Sequence, residues 1–318
     1  MDPHPSAPRQ DGAEPEPPLE ALTRLAVEIE SDPARLTALP EVKIYVETAP
    51  TEPVPVLFRP VLYVVLQGQK QLLIDDRTVR YNASQLVVVT VNLPLLAQVL
   101  QADPQRPYVA VGIPLDLSVL TQLARELHMP PPPARPTETV SVHPAPASLY
   151  GPLRRLLELS GDRRAAQLFQ ADALREIVYH VLVSPQGNAL RQRVGPHHAV
   201  SRVAVITDLM AQHVEDPLSM EDLAEAAGMS ATSLHRHFKA ATGTTPLGYY
   251  KRLRLHEARR LNGSGSLNIS ETAAAVGYAS AAHFSRDYKG MFGCAPSHDS
   301  FRARGTGGTE GQRGASPA

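Results

Sequence analysis

Two arginine–lysine pairs are the residues in this sequence whose types and spacing are suited to recognising a polyanion. Arg236 and Lys239 lie three residues apart, and Arg286 and Lys289 repeat that spacing fifty residues later. In a helix with 100° per residue, each pair projects from one side. Arginine can make a paired contact to a guanine edge or contact a phosphate, whereas lysine more often contacts phosphate. The spacing therefore indicates two cationic helix faces.

The two pairs belong to a longer internal duplication. "LSMED" and "LNISE" each contain a capping-box pattern, which predicts the start of a short helix in both copies. Gly228 and Gly277 follow at the same place in each copy, where a left-handed residue ends a helix. A second helix comes next. The repeated unit is thus a helix, a glycine turn and a helix.

The second helix of each unit combines an apolar side with a cationic one. Leu234 and Phe238 form the expected core side of the first copy, and Phe284 and Tyr288 form that of the second. A short helix, a turn and a second helix of this kind is the geometry of a helix-turn-helix that enters a major groove. Exposed cations on a helix are commonly only solubilising, but duplication of the whole pattern argues against that reading. Residues 236–260 also hold seven Lys or Arg and one Glu, in a chain of net charge −1.

Length and composition permit two domains and exclude several classes of protein. The 318 residues are 43% hydrophobic, as in globular proteins. The single cysteine, Cys294, cannot form an intramolecular disulfide or a cysteine zinc site, which fits a reducing cytoplasm. No secretory signal opens the chain, and "PVPVLFRPVLYVVLQ" is too interrupted for a membrane helix. We expect a cytoplasmic protein with disordered tails at 1–18 and 305–318.

The first half of the chain predicts a β-domain. Between Val42 and Val111, short runs of Val, Leu, Ile and Tyr alternate with turns at Gly68, at 75–76 and at 82–83. Residues 86–91 are continuously apolar, which indicates a strand buried on both faces. Antiparallel strands at this spacing predict a small barrel or jelly roll.

Helices are expected after the strands. A helical pattern follows Ser118, "MPPPPARP" predicts a stiff connector, and further helices are expected at 149–159 and 166–183. The apolar face expected for the last helix comprises Leu168, Leu174, Ile177, Val178, Val181 and Leu182. "SPQGNALRQRVGPHH" is interpreted as the inter-domain linker, and a helical domain follows at about 200–304.

The helical domain resembles the AraC-type (AraC/XylS) family of bacterial transcription regulators. "LSMEDLAEAAGMSATSLHRHFKAATGTTPLGYYKRLRLHEARRL" and "ISETAAAVGYASAAHFSRDYKGMFGCAP" carry the resemblance, which covers nearly all of residues 200–302. It implies that the second helix of each unit is a recognition helix. Carried over by position, it places base contacts at Thr232, Ser233, His235, Arg236, Ala281, Ala282, Ser285 and Arg286. The two alanines depart from the polar readers that the family often has there.

Phosphate contacts are assigned by charge and position. The candidates are Lys239, Lys251, Arg252, Arg259 and Lys289.

Residues 40–190 are similar to the amino-terminal sensor domain found in one branch of the same family. The resemblance implies a cupin-like β-barrel that binds an effector, dimerises or does both. Polar side chains on the expected strands could line an effector cavity, although each could equally be ordinary strand surface; they are Tyr63, Gln67, Lys70, Arg80 and Tyr81.

Two enzyme classes are alternatives to this interpretation. A cupin metal enzyme needs converging histidines and a carboxylate, but residues 42–111 contain no histidine. A DNA-repair protein that takes alkyl groups onto cysteine needs an activated thiolate, and Cys294 stands alone in the sequence. We therefore expect no catalytic residue, no metal site and no cofactor.

The sequence as a whole predicts an α+β multidomain regulator of transcription. A cupin-like jelly-roll domain at 40–190 precedes an all-α domain with two helix-turn-helix units at 200–304. The expected partners are double-stranded DNA, a small-molecule effector, RNA polymerase and a second copy of the chain. The alternative is a DNA-binding accessory protein whose barrel only dimerises.

Overall fold

The computed structural model describes residues 18–74, 77–129, 139–194 and 199–299. The tails expected at 1–18 and 305–318 lie outside these ranges except for Pro18, as does the proline run after Met129.

Within the described residues, nine strands form two antiparallel sheets that pack as a jelly roll. The first sheet has the order β1-β8-β3-β6-β9 and the second has the order β2-β7-β4-β5. The strands are β1 Lys43–Glu47, β2 Val54–Phe58, β3 Val61–Gln67, β4 Gln69–Ile74, β5 Arg77–Asn82, β6 Gln85–Val89, β7 Leu93–Gln101, β8 Tyr108–Pro114 and β9 Val140–Pro144. The predicted fold class is confirmed.

Twelve α-helices complete the described part of the chain. Six pack around the barrel, and the last six form the carboxy-terminal helical part. The helices are α1 Pro18–Ser31, α2 Pro33–Ala38, α3 Leu117–Glu126, α4 Tyr150–Glu158, α5 Arg163–Val183, α6 Asn188–Val194, α7 Ala199–Gln212, α8 Met220–Ala226, α9 Ala231–Thr242, α10 Pro246–Ser264, α11 Ile269–Ala275 and α12 Ala281–Phe292. None of the helices in the described ranges is long and apolar enough to cross a bilayer.

Strand β6, which lies between β3 and β9, has apolar residues buried on both faces, as its unbroken apolar run predicts. Val87 and Val89 point into the barrel, whereas Leu86 and Val88 pack under the surrounding helices, and all four are fully buried. Successive side chains of a strand point to opposite faces, so each face contributes to a different core. A sheet covered on both sides therefore needs no polar alternation.

The turn at Gly68 requires glycine. Its φ is +80°, and a Cβ there would lie 2.7 Å from the carbonyl oxygen of Gln101. Both the left-handed backbone and the close approach exclude larger residues. The β3–β4 reversal predicted at this position is confirmed.

Helices α1 and α2 were not predicted. Leu22, Ala26 and Ile29 of α1 are buried, and the helix packs against β1, β3 and β8. "LEALTRLAVEIE" has the spacing of an amphipathic helix, so the signal was present in the sequence. Helix α1 covers the outer face of the first sheet.

The apolar face predicted for α5 is wrong at Leu168. Ile177, Val181 and Leu182 are fully buried, but Leu168 is 71% exposed. Nine residues at 100° each place Leu168 opposite Ile177 on the helix. Leu168 therefore faces solvent.

The segment interpreted as a linker is a packed helix in part. Ala189, Leu190 and Arg193 of α6 are buried. Residues 195–198 lie outside the described ranges. The described part of this segment, through Val194, is therefore packed into the fold.

A buried polar network joins the barrel to the first helix-turn-helix unit. The Thr139 hydroxyl donates to the carbonyl oxygen of Ala241 at 2.5 Å, and the Tyr249 hydroxyl donates to that of Asn92. The Asn92 amide donates to Asp208 at 3.0 Å, and Asp208 also accepts from Arg193 at 2.8 Å. One apolar cluster runs from the barrel interior into α7, α9 and α10. The two halves are therefore docked by both packing and hydrogen bonds.

Candidate nucleic-acid interface

Each helix-turn-helix unit begins with the predicted capping box. The Asp222 amide donates to the Ser219 hydroxyl at 3.1 Å, and the Ser219 amide donates to the Asp222 carboxylate at 3.2 Å. In the second unit, the reciprocal distances between Asn268 and Glu271 are 3.0 and 2.9 Å. Two backbone donors at each helix start are thereby satisfied. Local sequence thus determines where α8 and α11 begin.

The turns between the helices depend on left-handed glycines. Gly228 has φ +59° and Gly277 has φ +72°. A Cβ on Gly277 would lie 2.6 Å from the carbonyl oxygen of Glu215, whereas one on Gly228 would meet open space. Glycine is therefore required at position 277 for two reasons: its backbone is left-handed, and the loop after α7 leaves no room for a Cβ.

The second helices of the two units, α9 and α12, are anchored by the predicted core residues. Leu234 and Phe238 of α9 and Phe284 and Tyr288 of α12 are fully buried. The Phe238 ring packs edge-on against Tyr249 of α10, with 5.1 Å between ring centroids. Burying this stripe leaves the opposite side of each helix facing outward.

The residues expected to contact bases lie on the outward sides of α9 and α12. Thr232, His235 and Arg236 are exposed on α9, and Ala282 and Arg286 are exposed on α12. The remaining three are half-buried: Ser233, Ala281 and Ser285. The first unit thus presents a hydroxyl, an imidazole and a guanidinium, whereas the second presents mainly Arg286.

Lys239 and Lys289 occupy equivalent exposed positions near the ends of α9 and α12. Each is one turn before a left-handed glycine, Gly243 or Gly293, whose amide donates to the lysine carbonyl at 2.9 Å. A cation in the last turn of a helix is also stabilised by the helix dipole. Both ammonium groups remain available to an external anion.

Lys251, another expected phosphate contact, forms an ion pair with an aspartate of the same chain. Its Nζ lies 2.8 Å from Oδ1 of Asp287, so α10 is tied to α12. Burial opposes ionisation of Asp287, but the hydrogen bond and charge of Lys251, with the neighbouring His283, hold the pKa of this carboxyl below its ordinary value. Arg252, the next residue, is half-buried.

The prediction that Arg259 contacts phosphate is wrong, because its side chain is buried. Its side chain is 5% exposed and its Nε donates to Asp299 at 2.9 Å. The guanidinium also stacks over Phe292, and the Tyr288 hydroxyl donates to the same carboxylate at 2.8 Å. Arg259 is therefore a structural cation that fixes the residues after α12.

Arg254 makes structural contacts that sequence reasoning missed. Its guanidinium donates to the carbonyl oxygen of Asp216 at 2.7 Å and to that of Gly277 at 3.4 Å, and it lies over the Tyr250 ring. These contacts join the loop before α8 to the turn of the second unit. In the sequence, Arg254 is distinguished only by its place in the cationic stretch 236–260, which indicates DNA binding and not these contacts.

The five residues expected to line an effector cavity do not all converge. Tyr63, Lys70 and Tyr81 point into the barrel. Gln67 instead donates to the carbonyl oxygen of Pro107 at 2.8 Å, and exposed Arg80 donates to Gln71 outside the barrel. Three of the five candidate effector residues therefore lie together inside the barrel.

Tyr45 and Tyr108, which the sequence analysis did not single out, complete this barrel cluster. Lys70 Nζ lies 5.6 Å from the ring centroid of Tyr45 and 5.5 Å from that of Tyr108. The hydroxyl oxygens of Tyr45 and Tyr63 are 3.3 Å apart. Desolvation lowers the pKa of Lys70 to about 8. The cluster comprises a lysine ammonium among four phenols.

The family comparisons agree with this architecture. Residues 38–189 match the model of the AraC-type transcriptional regulator N-terminus, and residues 223–302 match that of a helix-turn-helix domain. The chain belongs to the AraC family of transcriptional regulators, as its sequence predicts. This is a family of regulators of transcription and not of enzymes.

Individual relatives match mainly the helical part. The HTH-type transcriptional regulator ArgR of Pseudomonas aeruginosa is 34% identical over 116 residues, which is 36% of this chain and 35% of ArgR. A transcriptional regulator of Chromobacterium violaceum with an AraC-type DNA-binding domain is 37% identical over 30% of this chain and 87% of that one, with a TM-score of 0.30. The chain thus spans about a third of the length of ArgR.

ToxT of Vibrio cholerae shares the overall fold. Its structure bound to (E)-4-(8-methylnaphthalen-1-yl)but-3-enoic acid aligns with 80% of this chain and 96% of ToxT, with a TM-score of 0.54 and 12% identity. At this identity the similarity concerns the fold alone.

Proposed function

We propose that this protein binds specific DNA sequences through both helix-turn-helix units and regulates transcription in response to a small-molecule effector. The observation that carries the proposal is the duplicated recognition helix. Both α9 and α12 bury an apolar stripe and expose an arginine and a lysine at equivalent positions. Two such helices can enter successive major grooves about 34 Å apart on one face of DNA.

The roles of the cations follow from their exposure. Arg236 and Arg286 read base edges, and Lys239 and Lys289 neutralise phosphates. Thr232, Ser233 and His235 add contacts in the first unit, where α9 carries more polar groups than α12. Ala281, Ala282 and Ser285 give the second unit a weaker readout. Arg252 is retained as a phosphate contact, while Lys251 is available only if Asp287 releases it.

The barrel is proposed to sense the effector and to pass the signal through the docked interface. Lys70 and the surrounding phenols offer a cation and hydrogen-bonding groups in an apolar setting, as effector sites do. The carboxylic acid bound to ToxT supports a small-molecule ligand for this fold. In this proposal residues 40–190 form the sensor, residues 200–304 bind DNA, and the protein acts on RNA polymerase in the cytoplasm.

Selection of bound sequences from a random duplex pool tests the DNA-binding proposal. The wild-type protein should enrich one motif with two blocks about one helical turn apart. Arg236→Ala should relax preference at one base pair of the first block, and Arg286→Ala should do so in the second. Enrichment of no motif by the wild-type protein would contradict sequence-specific binding.

The alternative, a barrel that only dimerises, is favoured by a different observation. On α5, Leu168 is 71% exposed, Phe169 54% and Val183 44%. Antiparallel pairing of two α5 helices would cover this stripe. Large exposed apolar side chains grouped on one helix are typical of an interface.

Sedimentation velocity with Leu168→Glu tests the dimer. The variant should shift the wild-type dimer towards monomer, whereas Val205→Glu, an exposed aliphatic position on α7 that is 45% exposed, should not. Thermal-shift screening of the full chain against small metabolites then separates sensing from dimerisation alone. A specific ligand shift supports the sensor, and a dimer that responds to none supports the alternative.

A further inference from the structure

The Lys70 amine is a nucleophile inside the barrel that DNA binding does not involve. Its Nζ lies 5.6 Å from the ring centroid of Tyr45 and 5.5 Å from that of Tyr108. Tyr63 and Tyr81 belong to the same barrel interior. Among the described residues, Nζ forms neither an ion pair nor a hydrogen bond, so its contacts there are with ring faces. An ammonium group without a counter-ion is costly to desolvate.

Desolvation brings the Lys70 amine close to neutrality at physiological pH. It lowers the pKa of Lys70 to about 8, and the charge of Glu47 on β1 only partly opposes this effect. About a tenth of the Lys70 side chains are therefore uncharged at pH 7, against about one in three thousand for an ordinary lysine. Only the uncharged amine has the free electron pair that attacks a carbonyl carbon.

The phenols beside the amine occupy space that a glycine leaves open. A Cβ at Gly112 of β8 would lie 2.9 Å from the Tyr63 ring and 3.2 Å from the Tyr45 ring. Glycine at this position lets the two rings lie together, with their hydroxyl oxygens 3.3 Å apart. Lys70 is half-buried and its Nζ is not fully enclosed, so a small molecule can reach it.

The phenols supply protonated hydroxyl groups and not charges. Burial raises the pKa of Tyr45, Tyr81 and Tyr108 above the ordinary tyrosine value. These groups therefore stay neutral at physiological pH and can donate hydrogen bonds to a carbonyl or hydroxyl oxygen. The ring centroid of Phe58 lies 5.2 Å from that of Tyr63, which makes the surroundings of the amine apolar.

An aldehyde with an apolar body suits these groups. Its carbonyl carbon is electrophilic, its oxygen accepts hydrogen bonds from the phenols, and its body packs against aromatic walls. Its product with a lysine is an imine, which is much less basic than an amine and is neutral when unprotonated. The reaction therefore removes a desolvated charge, whereas an unreactive apolar molecule would leave the ammonium group without a counter-ion.

We propose that Lys70 forms an imine with a small apolar aldehyde, and that the hydroxyl groups of Tyr45 and Tyr63 donate to the aldehyde oxygen. The ammonium group first releases a proton to solvent. The amine nitrogen then bonds to the carbonyl carbon, and the oxygen takes up one N–H proton to give a carbinolamine. Departure of this hydroxyl group with the second N–H proton forms the C=N bond and releases one water molecule.

The imine is a chemical form in which the barrel would hold its effector, and this regulatory role rests on the proposed function. Strand β4, which carries Lys70, pairs with β7. Asn92 directly precedes β7, and its side-chain amide donates to Asp208 of α7 at 3.0 Å. Neighbouring strands thus connect the reacting amine to the interface that docks the helical part.

Reductive trapping on the full chain without DNA tests the reaction itself. The probe is butanal, and sodium cyanoborohydride converts an imine to a stable butylated lysine that peptide mapping locates. Lys70 should be butylated at least about tenfold faster than Lys43, because the phenol-lined site favours the uncharged amine. Lys43 is a matched control, since desolvation also lowers its pKa but its ammonium group donates to the carbonyl oxygen of Pro40 at 3.4 Å. Butylation of Lys70 no faster than that of Lys43 would overturn the imine.

Lys70→Arg separates reaction from simple binding. Arginine keeps a cation among the phenols but forms no imine with butanal under these conditions. Butanal should raise the thermal unfolding temperature of the wild type and of Lys43→Met, because the imine removes a desolvated charge, and should not raise that of Lys70→Arg. An equal rise in Lys70→Arg would show that butanal binds without reacting and would overturn the covalent step.

Titration of a labelled duplex carrying the selected motif tests the regulatory role. Butanal should change the affinity of the wild type at least about fivefold more than that of Lys70→Arg, as the usual range of allosteric coupling predicts. An equal response of the two proteins would overturn the imine as the effector-bound form. If the wild type forms the Lys70 imine but selects no duplex, the proposed function fails while the imine stands. Selection of a motif without butylation of Lys70 would have the opposite meaning.

Discussion

Lys251 of α10 and Asp287 of α12 form an ion pair, with 2.8 Å between Nζ and Oδ1. The pair joins α10, which connects the two helix-turn-helix units, to α12. The lysine side chain is 51% exposed, whereas the aspartate is only 12% exposed. The same lysine is a candidate phosphate contact by charge and position. Its pairing with Asp287 therefore determines how it can contribute to DNA binding.

We predict that Lys251→Met changes the salt dependence of DNA binding very little. A phosphate contact removed by mutation lowers the slope of log K against log salt by about one, but Lys251 is already neutralised within the protein. Lys239→Met, at an exposed position, should lower the slope by about one. Fluorescence anisotropy titrations between 50 and 200 mM salt, about the usual working range, provide the measurement.

Substitution of the ion-pair partner of Lys251, Asp287→Asn, provides the control. It frees the Lys251 ammonium, so the slope should become steeper than that of the wild type. A slope reduced equally by Lys251→Met and Lys239→Met would show instead that Lys251 leaves Asp287 and contacts phosphate in the complex.

Replacing Arg236 should change the sequence specificity of DNA binding, whereas replacing Lys239 should change only the affinity. Arg236→Ala should cost about 1–3 kcal/mol on the selected motif and relax preference at one base pair, because a bidentate base contact is lost. Lys239→Ala should weaken all duplexes alike, since phosphates carry no sequence information. Binding to the selected motif and to single-base variants of it measures both effects. Loss of specificity in Lys239→Ala, with specificity intact in Arg236→Ala, would reverse the two roles.

Arg259→Met is predicted to destabilise the protein. Removing one partner of a buried ion pair leaves Asp299 uncompensated and costs about 3–5 kcal/mol. Urea unfolding should show the loss, and the double variant Arg259→Met/Asp299→Leu should recover part of it. Lys289→Met, at an exposed position, should change the free energy of unfolding by less than about 0.5 kcal/mol. A stability equal to that of the wild type would return Arg259 to the list of phosphate contacts.

Local sequence rules predicted the parts of the structure that are governed by local physics. The capping boxes at Ser219 and Asn268, the left-handed glycines and the apolar stripes of α9 and α12 can be read from neighbours along the chain. The turn at Gly68 and the apolar run of β6 were likewise predicted from residues adjacent in the sequence.

Contacts between distant segments could not be predicted in this way. Arg259 and Asp299 are forty residues apart, and nothing in the residues around either indicates the pair. Thr139 and Ala241, which dock the barrel on the first unit, are separated by 102 positions. Leu168 is a different case, because its position opposite Ile177 follows from the helical period and was available from the sequence.

Lys70 gives the last prediction, a pH-dependent stability. Its pKa in the folded protein is lowered to about 8 by desolvation, from 10.5 in an unperturbed lysine. Between these two values the unfolded chain binds more protons than the folded one, so the free energy of unfolding contributed by this group rises with pH. Below about pH 8 both states are protonated, and the full cost of the buried charge is present. Lys70→Met should therefore be more stable than the wild type at pH 7, with the difference shrinking as the pH rises from 8 towards 10. Urea unfolding of both proteins at pH 7, 8, 9 and 10 measures this difference, in which the titration of other groups largely cancels. A difference that stays constant over this range would mean that Lys70 keeps an ordinary pKa and is well solvated.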